Sequence, residues 1–347
     1  MSSLRNGYID QWRGISVLMV LLDHLLVRRL GFWQTYDTGS WFLGKLQWGA
    51  LLWRFHAGVV GVCAFFCISG YLITSLLAKE EATTGRASLT GFYIRRLCRI
   101  LPALLLYVGA VCLLDALGAI RMERGDAGQS LMFLCNTEMR CGYHFGHFWS
   151  LAVEEQFYFF WPLLFIFVRR RIALVAAALV LAMALSVVPA LRIDGWLNNG
   201  LAFSCISAGS LFALSARFRA LIPAAPGWLL YVLLVVVIPI AWKQWPEIEP
   251  LILLTLPFLI IATVIARTGR VWEPLRLVGL MSYSLYLWQA ALTWDSERYI
   301  ASWLAYASWF AIPMAWLSYR YVELPFMALG HRQSKLLTAQ RSANRPV

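Results

Sequence analysis

The residues that could do chemistry stand out because they are ionisable groups inside long apolar runs. Arg13, Asp23 and His24 lie in one run; Arg95, Arg96 and Arg99 open a second; His147, Glu154 and Glu155 begin a third; Arg320 and Glu323 close the last. An ionisable side chain at bilayer depth costs about 2.5–3.5 kcal/mol or more, so it marks a polar cavity or a working site. A histidine beside a carboxylate in a low-dielectric pocket is a general-base pair, in which the carboxylate holds the tautomer and the imidazole removes a proton. An arginine cluster suits a phosphate-bearing donor, because guanidinium binds phosphate through two parallel hydrogen bonds. A hydroxyl acceptor and a phosphorylated donor, without a metal motif, point to group transfer.

Each element also has a plainer reading. A membrane histidine can simply hydrogen-bond a neighbouring helix. Arg95, Arg96 and Arg99 can anchor a helix at lipid headgroups. Glu154 and Glu155 are adjacent on a helix, so one of them is expected to face a given site. His144 and His147 lack the carboxylate or thiolate support of a metal site, and Gly58, Gly61 and Gly70 suit helix packing.

The elements that must carry these groups follow from composition. Of 347 residues, 60% are hydrophobic and 14% charged, against about 45–50% and about 25% in soluble domains. Mean hydropathy is +0.65. The expectation is an all-α polytopic membrane protein rather than a soluble enzyme or a disordered chain. A spanning helix needs about 20 mostly apolar residues. Ten segments qualify: Tyr8–Val27, Ala57–Ala78, Leu97–Ala119, Phe148–Val168, Ile172–Leu191, Asn199–Ala216, Gly227–Trp242, Leu251–Ala266, Leu277–Trp294 and Ala301–Tyr321. The first reads as a retained span, since no small-residue cleavage site follows it.

With ten spans both termini share a side. That side carries eighteen Lys and Arg, against ten on the other, with Arg13 and Arg320 near helix ends completing the 30. The positive-inside rule puts both termini in the cytoplasm, and the net charge of +12 then needs no nucleic acid. On this topology His24 and the two glutamates lie toward the outer side. Arg13 is roughly 16 Å further in along the helix, and the three arginines and Glu323 sit at the inner face. Cys135 and Cys141 share an outward loop and could pair in an oxidising compartment.

Several motifs are familiar together. Arg13-Gly14-Ile15 precedes His24 by the spacing arginine, ten residues, histidine. Then come Gly58-Val-Val-Gly61, Phe65-Phe66-Cys67-Ile68-Ser69-Gly70-Tyr71, and Phe92-Tyr93-Ile94-Arg95-Arg96-Leu97-Cys98-Arg99. The fullest block is His147-Phe148-Trp149-Ser150-Leu151-Ala152-Val153-Glu154-Glu155-Gln156-Phe157-Tyr158, and Ser282–Trp288 and Ser318–Pro325 follow. In this order they resemble the acyltransferase-3 family of membrane O-acyltransferases. The resemblance implies ten helices, an acyl-CoA donor, often acetyl-CoA, as co-substrate with no bound cofactor, and a hydroxyl acceptor, usually on a glycan, a lipid-linked sugar or another glycosylated product. It implies His24 as catalytic base with Arg13 as its companion, and Arg95, Arg96 and Arg99 as contacts to CoA phosphates. Glu154 becomes the carboxylate that orients His24. Ser69, His147, Trp149, Glu155, Tyr286 and Glu323, inside the matched blocks, become substrate-binding candidates.

Two departures stand out. Gln289 occupies a position where many relatives carry histidine, so a second-histidine role there is absent or altered. The chain also leaves no room for the extracytoplasmic esterase-like domain of some relatives. The expected organisation is a transmembrane acyltransferase domain over 1–330 and a cytoplasmic basic tail over 331–347, in a bacterial inner membrane. The acceptor and the oligomeric state stay open, and so does the choice between direct transfer and an acyl-histidine carrier. A transporter or flippase is the rival, but the two halves of the chain show no matched helix breaks.

Overall fold

A computed structural model describes residues 3–24, 57–137, 141–188, 192–194, 197–229, 249–267, 269–292 and 311–343. The described residues are helical apart from a short antiparallel hairpin of β1 (Arg192–Asp194) and β2 (Leu197–Asn198). The helices are α1 (Ser3–His24), α2 (Ala57–Thr84), α3 (Leu89–Ala116), α4 (Asp126–Leu131), α5 (Phe148–Phe167), α6 (Arg171–Ser186), α7 (Asn199–Leu214) and α8 (Ala216–Leu221). They continue with α9 (Glu249–Ile260), α10 (Glu273–Leu280), α11 (Ser282–Leu292), α12 (Ala311–Ser318) and α13 (Leu324–Ala343). A π-helical turn extends α9 over Ile261–Ile265, and another joins α12 to α13 over Tyr319–Glu323. Among the described residues, two helical stretches are long and apolar enough to cross a membrane: Gly58–Thr84 and Leu89–Ala116.

The helices approach closely where they have no side chain. A Cβ on Gly70 would strike the Ile206 carbonyl, and one on Gly209 the Cys67 carbonyl, so α2 and α7 touch backbone to backbone. Gly14 and Gly279 do the same for α1 and α10, meeting the carbonyls of Leu275 and Asp10. In a medium as apolar as the side chains, such close packing holds helices together where burial alone cannot. Ser88 caps α3 by accepting from the Gly91 amide at 3.2 Å. Trp161 on α5 donates to Thr74 on α2 at 2.9 Å.

Three features add to the sequence expectation. The expected span Leu277–Trp294 is not one continuous helix over its described part, because the chain breaks at Met281 between α10 and α11. The break follows from the Gly279 contact with α1, which holds α10 against that helix, while Arg13 holds the first residue of α11. The boundary at residue 330 falls inside α13, which lies along α3: Gly330 abuts Cys98, and Arg95 donates to Ser334. The loop Ile120–His147 carries α4 and a Cys135–Cys141 disulfide, and folds back along α5, where Asn136 and Gln156 exchange hydrogen bonds of 3.1 and 2.9 Å. The seventh expected span lies outside the described residues beyond 229, and the tenth before 311. The loop Arg28–His56 lies outside them entirely.

Candidate active site

Five helices build one cavity. It measures about 820 Å3 out to its open mouth and is lined by Arg13 of α1, Ser69 of α2, Arg96 and Arg99 of α3, Glu154, Glu155 and Tyr158 of α5, and Ser282 and Tyr286 of α11, with apolar residues between them. Three guanidinium groups and two carboxylates therefore share a chamber in an otherwise apolar bundle.

Spacing explains how α1 and α11 serve it. Residues eleven apart on an α-helix differ by three turns and about 20°, so Arg13 and His24 project from one face of α1. Residues seven apart also share a face, so Ser282 and Gln289 do the same on α11, with Tyr286 beside them. The two faces meet twice. Arg13 donates to the Ser282 hydroxyl at 3.0 Å, and His24 Nδ1 lies 2.9 Å from Gln289 Oε1. Arg13 also forms an ion pair with Asp10 at 3.7 Å.

The carboxylates come from α5. Ser69 donates to Glu154 Oε1 at 2.8 Å. The Tyr158 hydroxyl lies 2.9 Å from Ser69 Oγ and 3.3 Å from Glu154 Oε2. Glu154 and Tyr158 are four residues apart, hence on one face. Arg96 covers the Tyr158 ring, with its Cζ 4.8 Å from the centroid, a cation–π contact. Adjacent helix positions were expected to diverge, yet both glutamates line the cavity. Glu154 is held by its neighbours, whereas the buried Glu155 Oε1 has no hydrogen-bond partner among the described residues.

The remaining candidates separate. The expected pairing of His24 with Glu154 gives way to the contact between His24 and Gln289, while Glu154 is engaged by Ser69 and Tyr158. His24 is not a lining residue of the arginine chamber. The expected outer and inner polar clusters are also regrouped: the glutamates share their chamber with Arg13, Arg96 and Arg99. Arg95 points elsewhere, to Glu80 at 3.3 Å and to Ser334. Glu323 is buried and accepts from Ser284 at 2.9 Å. Trp149 packs edge-on against Phe66 at 6.0 Å. The His147 carbonyl accepts from Tyr286 at 2.9 Å, the Tyr286 and Ser150 hydroxyls lie 2.5 Å apart, and the His147 ring packs on Tyr107 at 5.7 Å. His147 and Trp149 thus shape the wall at the start of α5.

Sequence reasoning passed over Tyr158, Ser282 and Gln289. The i+4 relation of Tyr158 to Glu154 was available. The Gln289 contact was not, because a glutamine in place of a histidine reads as a loss.

Among the described residues the chain is a largely helical bundle whose chamber is lined by arginines, carboxylates and hydroxyls. The profile of the acyltransferase-3 acyltransferase domain matches residues 6–321, and the chain belongs to that family. It is 35% identical over 171 residues to a candidate O-acetyltransferase of Staphylococcus aureus (strain COL), covering 46% of this chain and 24% of the relative. It is 38% identical over 128 residues to the O-acetyltransferase OatA of Staphylococcus aureus (strain NCTC 8325 / PS 47), covering 33% of this chain and 21% of the relative. The chain thus matches about a quarter of the length of these relatives. No solved structure matches it.

Proposed function

We propose that this protein is a membrane O-acyltransferase that moves an acetyl group from acetyl-CoA to a hydroxyl of a glycan, a lipid-linked sugar or another glycosylated product. The observation that carries the reading is the chamber itself: Arg13, Arg96 and Arg99 converge with Glu154, Glu155, Ser69 and Tyr158 within the region that matches the acyltransferase-3 domain. Guanidinium groups in an apolar setting suit the phosphates of a CoA donor. The O-acetyltransferase names of the relatives agree with acetyl transfer.

In this reading Arg96 and Arg99 hold the donor and Arg95 does not, since it is paired with Glu80 and Ser334 outside the chamber. His24 is the base. Its Nδ1 is engaged by Gln289, so Nε2 is the nitrogen that takes a proton. As the acceptor hydroxyl attacks the thioester carbonyl, its proton passes to Nε2 and the CoA thiolate leaves, later regaining that proton from the imidazolium. An acyl-histidine carrier would use the same nitrogen. Ten spans, both termini in the cytoplasm and a bacterial inner membrane complete the proposal, with the acceptor on the far side. The bilayer and the two substrates are the partners, and no nucleic acid is involved.

The test is transfer of radiolabelled acetyl from acetyl-CoA in membranes, comparing wild type with His24→Ala. The expected result is loss of transfer by an inserted, folded variant. Equal product from both would overturn the mechanism, and a flippase would move substrate without incorporating label.

A further inference from the structure

A second chamber, about 860 Å3 counted out to its open side, adjoins the first, between α3, α5 and the turn at Met132 and Phe133. The two share a wall made by Arg96, Ile100, Glu155 and Tyr158. We propose that this second chamber is a lateral port through which an acceptor bearing a hydrocarbon anchor reaches the acyl donor. The proposal rests on the O-acyl transfer reading above.

Polarity runs along the chamber in one direction. Its charged groups, Arg96 and Glu155, lie on the wall shared with the central cavity. Its outer rim is apolar and exposed: Leu97 is 52%, Met132 72%, Phe159 57% and Phe160 57% accessible. Leu97 belongs to α3, a helix long and apolar enough to cross a membrane. In a bilayer-spanning bundle such a rim faces hydrocarbon, where a free sugar would have to shed its water to enter. A chain already dissolved in the bilayer loses nothing there. The occupant that fits is therefore an amphiphile, with its chain at the rim and its hydroxylated head at the shared wall.

The wall supplies what the head requires. Glu155 Oε1 is buried without a partner among the described residues. A buried acceptor left unmade is costly, and a hydroxyl of the incoming head would satisfy it. The acyl chain of a longer acyl-CoA is the other conceivable occupant, and the test separates it.

Leu97→Trp fills the rim without touching the central cavity. Leu105→Trp places the same bulk on an exposed face of the same helix, outside both chambers. Membranes of expressing cells receive radiolabelled acetyl-CoA, and products are split between chloroform–methanol and water. Acetyl-CoA affinity is measured by filtration on the purified proteins, after matching their melting temperatures. The port predicts label in the organic phase for wild type, at least tenfold less for Leu97→Trp, donor affinity within twofold, and no change for Leu105→Trp. Undiminished transfer by Leu97→Trp overturns it, as does wild-type label found only in water. A parallel loss of donor affinity assigns the chamber to the donor instead, and also overturns it. No label from wild type above His24→Ala is a separate result: it refutes the transfer reading, and the port falls with it.

Discussion

Replacing Gln289 with leucine tests the catalytic geometry at one bond. Gln289 is 1% exposed, and its Oε1 lies 2.9 Å from His24 Nδ1. With the amide oxygen facing the ring, it accepts from Nδ1–H, and this tautomer leaves Nε2 as the basic nitrogen. Leucine preserves the volume and removes the acceptor. Water has little access to such a buried position, so the donor loses a bond worth about 1–3 kcal/mol when left unmade. At about 1.4 kcal/mol per factor of ten, kcat should fall by roughly 10- to 100-fold. KM for acetyl-CoA should stay put, because Gln289 does not line the arginine chamber. Gln289→Glu keeps an acceptor at the same place and should recover most of the rate. Steady-state acetyl transfer by the three proteins, matched for melting temperature, decides the matter. A kcat for Gln289→Leu within twofold of wild type, or a loss confined to KM for the donor, would refute the argument.

Other outcomes follow from the same contacts. Arg96→Ala should weaken acetyl-CoA binding about tenfold or more, in line with roughly 1.5–3 kcal/mol for a charge-assisted hydrogen bond, whereas Arg95→Ala should leave it near wild type; equal effects in a filtration assay would contradict the assignment. Gly209→Ala should lower stability by at least about 1–3 kcal/mol, the range for overpacking, since its Cβ would meet the Cys67 carbonyl; an unchanged melting temperature would show that α2 and α7 can separate. Cys135→Ser opens a short disulfide loop, worth about 2 kcal/mol on chain-entropy grounds. A thiol-reactive mass tag, mapped by peptide, should add to Cys135 and Cys141 only after reduction; tagging of these two in the unreduced protein would show that the bond does not form.

Much of the helical plan was legible because apolar runs about 20 residues long are a strong signal. Glu154, Arg13, Arg96 and Arg99 were legible because a charge in such a run is conspicuous. What was hidden is pairing. Depth along a helix placed His24 level with the glutamates, but which side chain meets which depends on helix rotation and crossing. Those are set by backbone contacts such as Gly14 against Leu275 and Gly279 against Asp10. The break at Met281 was hidden for the same reason: Leu277–Trp294 is apolar enough to read as one helix, and only the contacts on either side of the break reveal two. Arg95, Arg96 and Arg99 looked equivalent in sequence. Their separation comes from α13, whose Ser334 takes Arg95 away from the chamber.

The double meeting of α1 and α11 acts as a ruler. Eleven residues on one helix are matched to seven on the other, and both intervals close on a single face. A substitution between Arg13 and His24 changes one side chain. Inserting or deleting one residue there turns everything beyond it by about 100° and shifts it by about 1.5 Å, so Ser282 and Gln289 can no longer both be reached. Apart from Gly14, whose missing side chain lets α10 approach, these two intervals should therefore tolerate variation in residue type far better than any change in length.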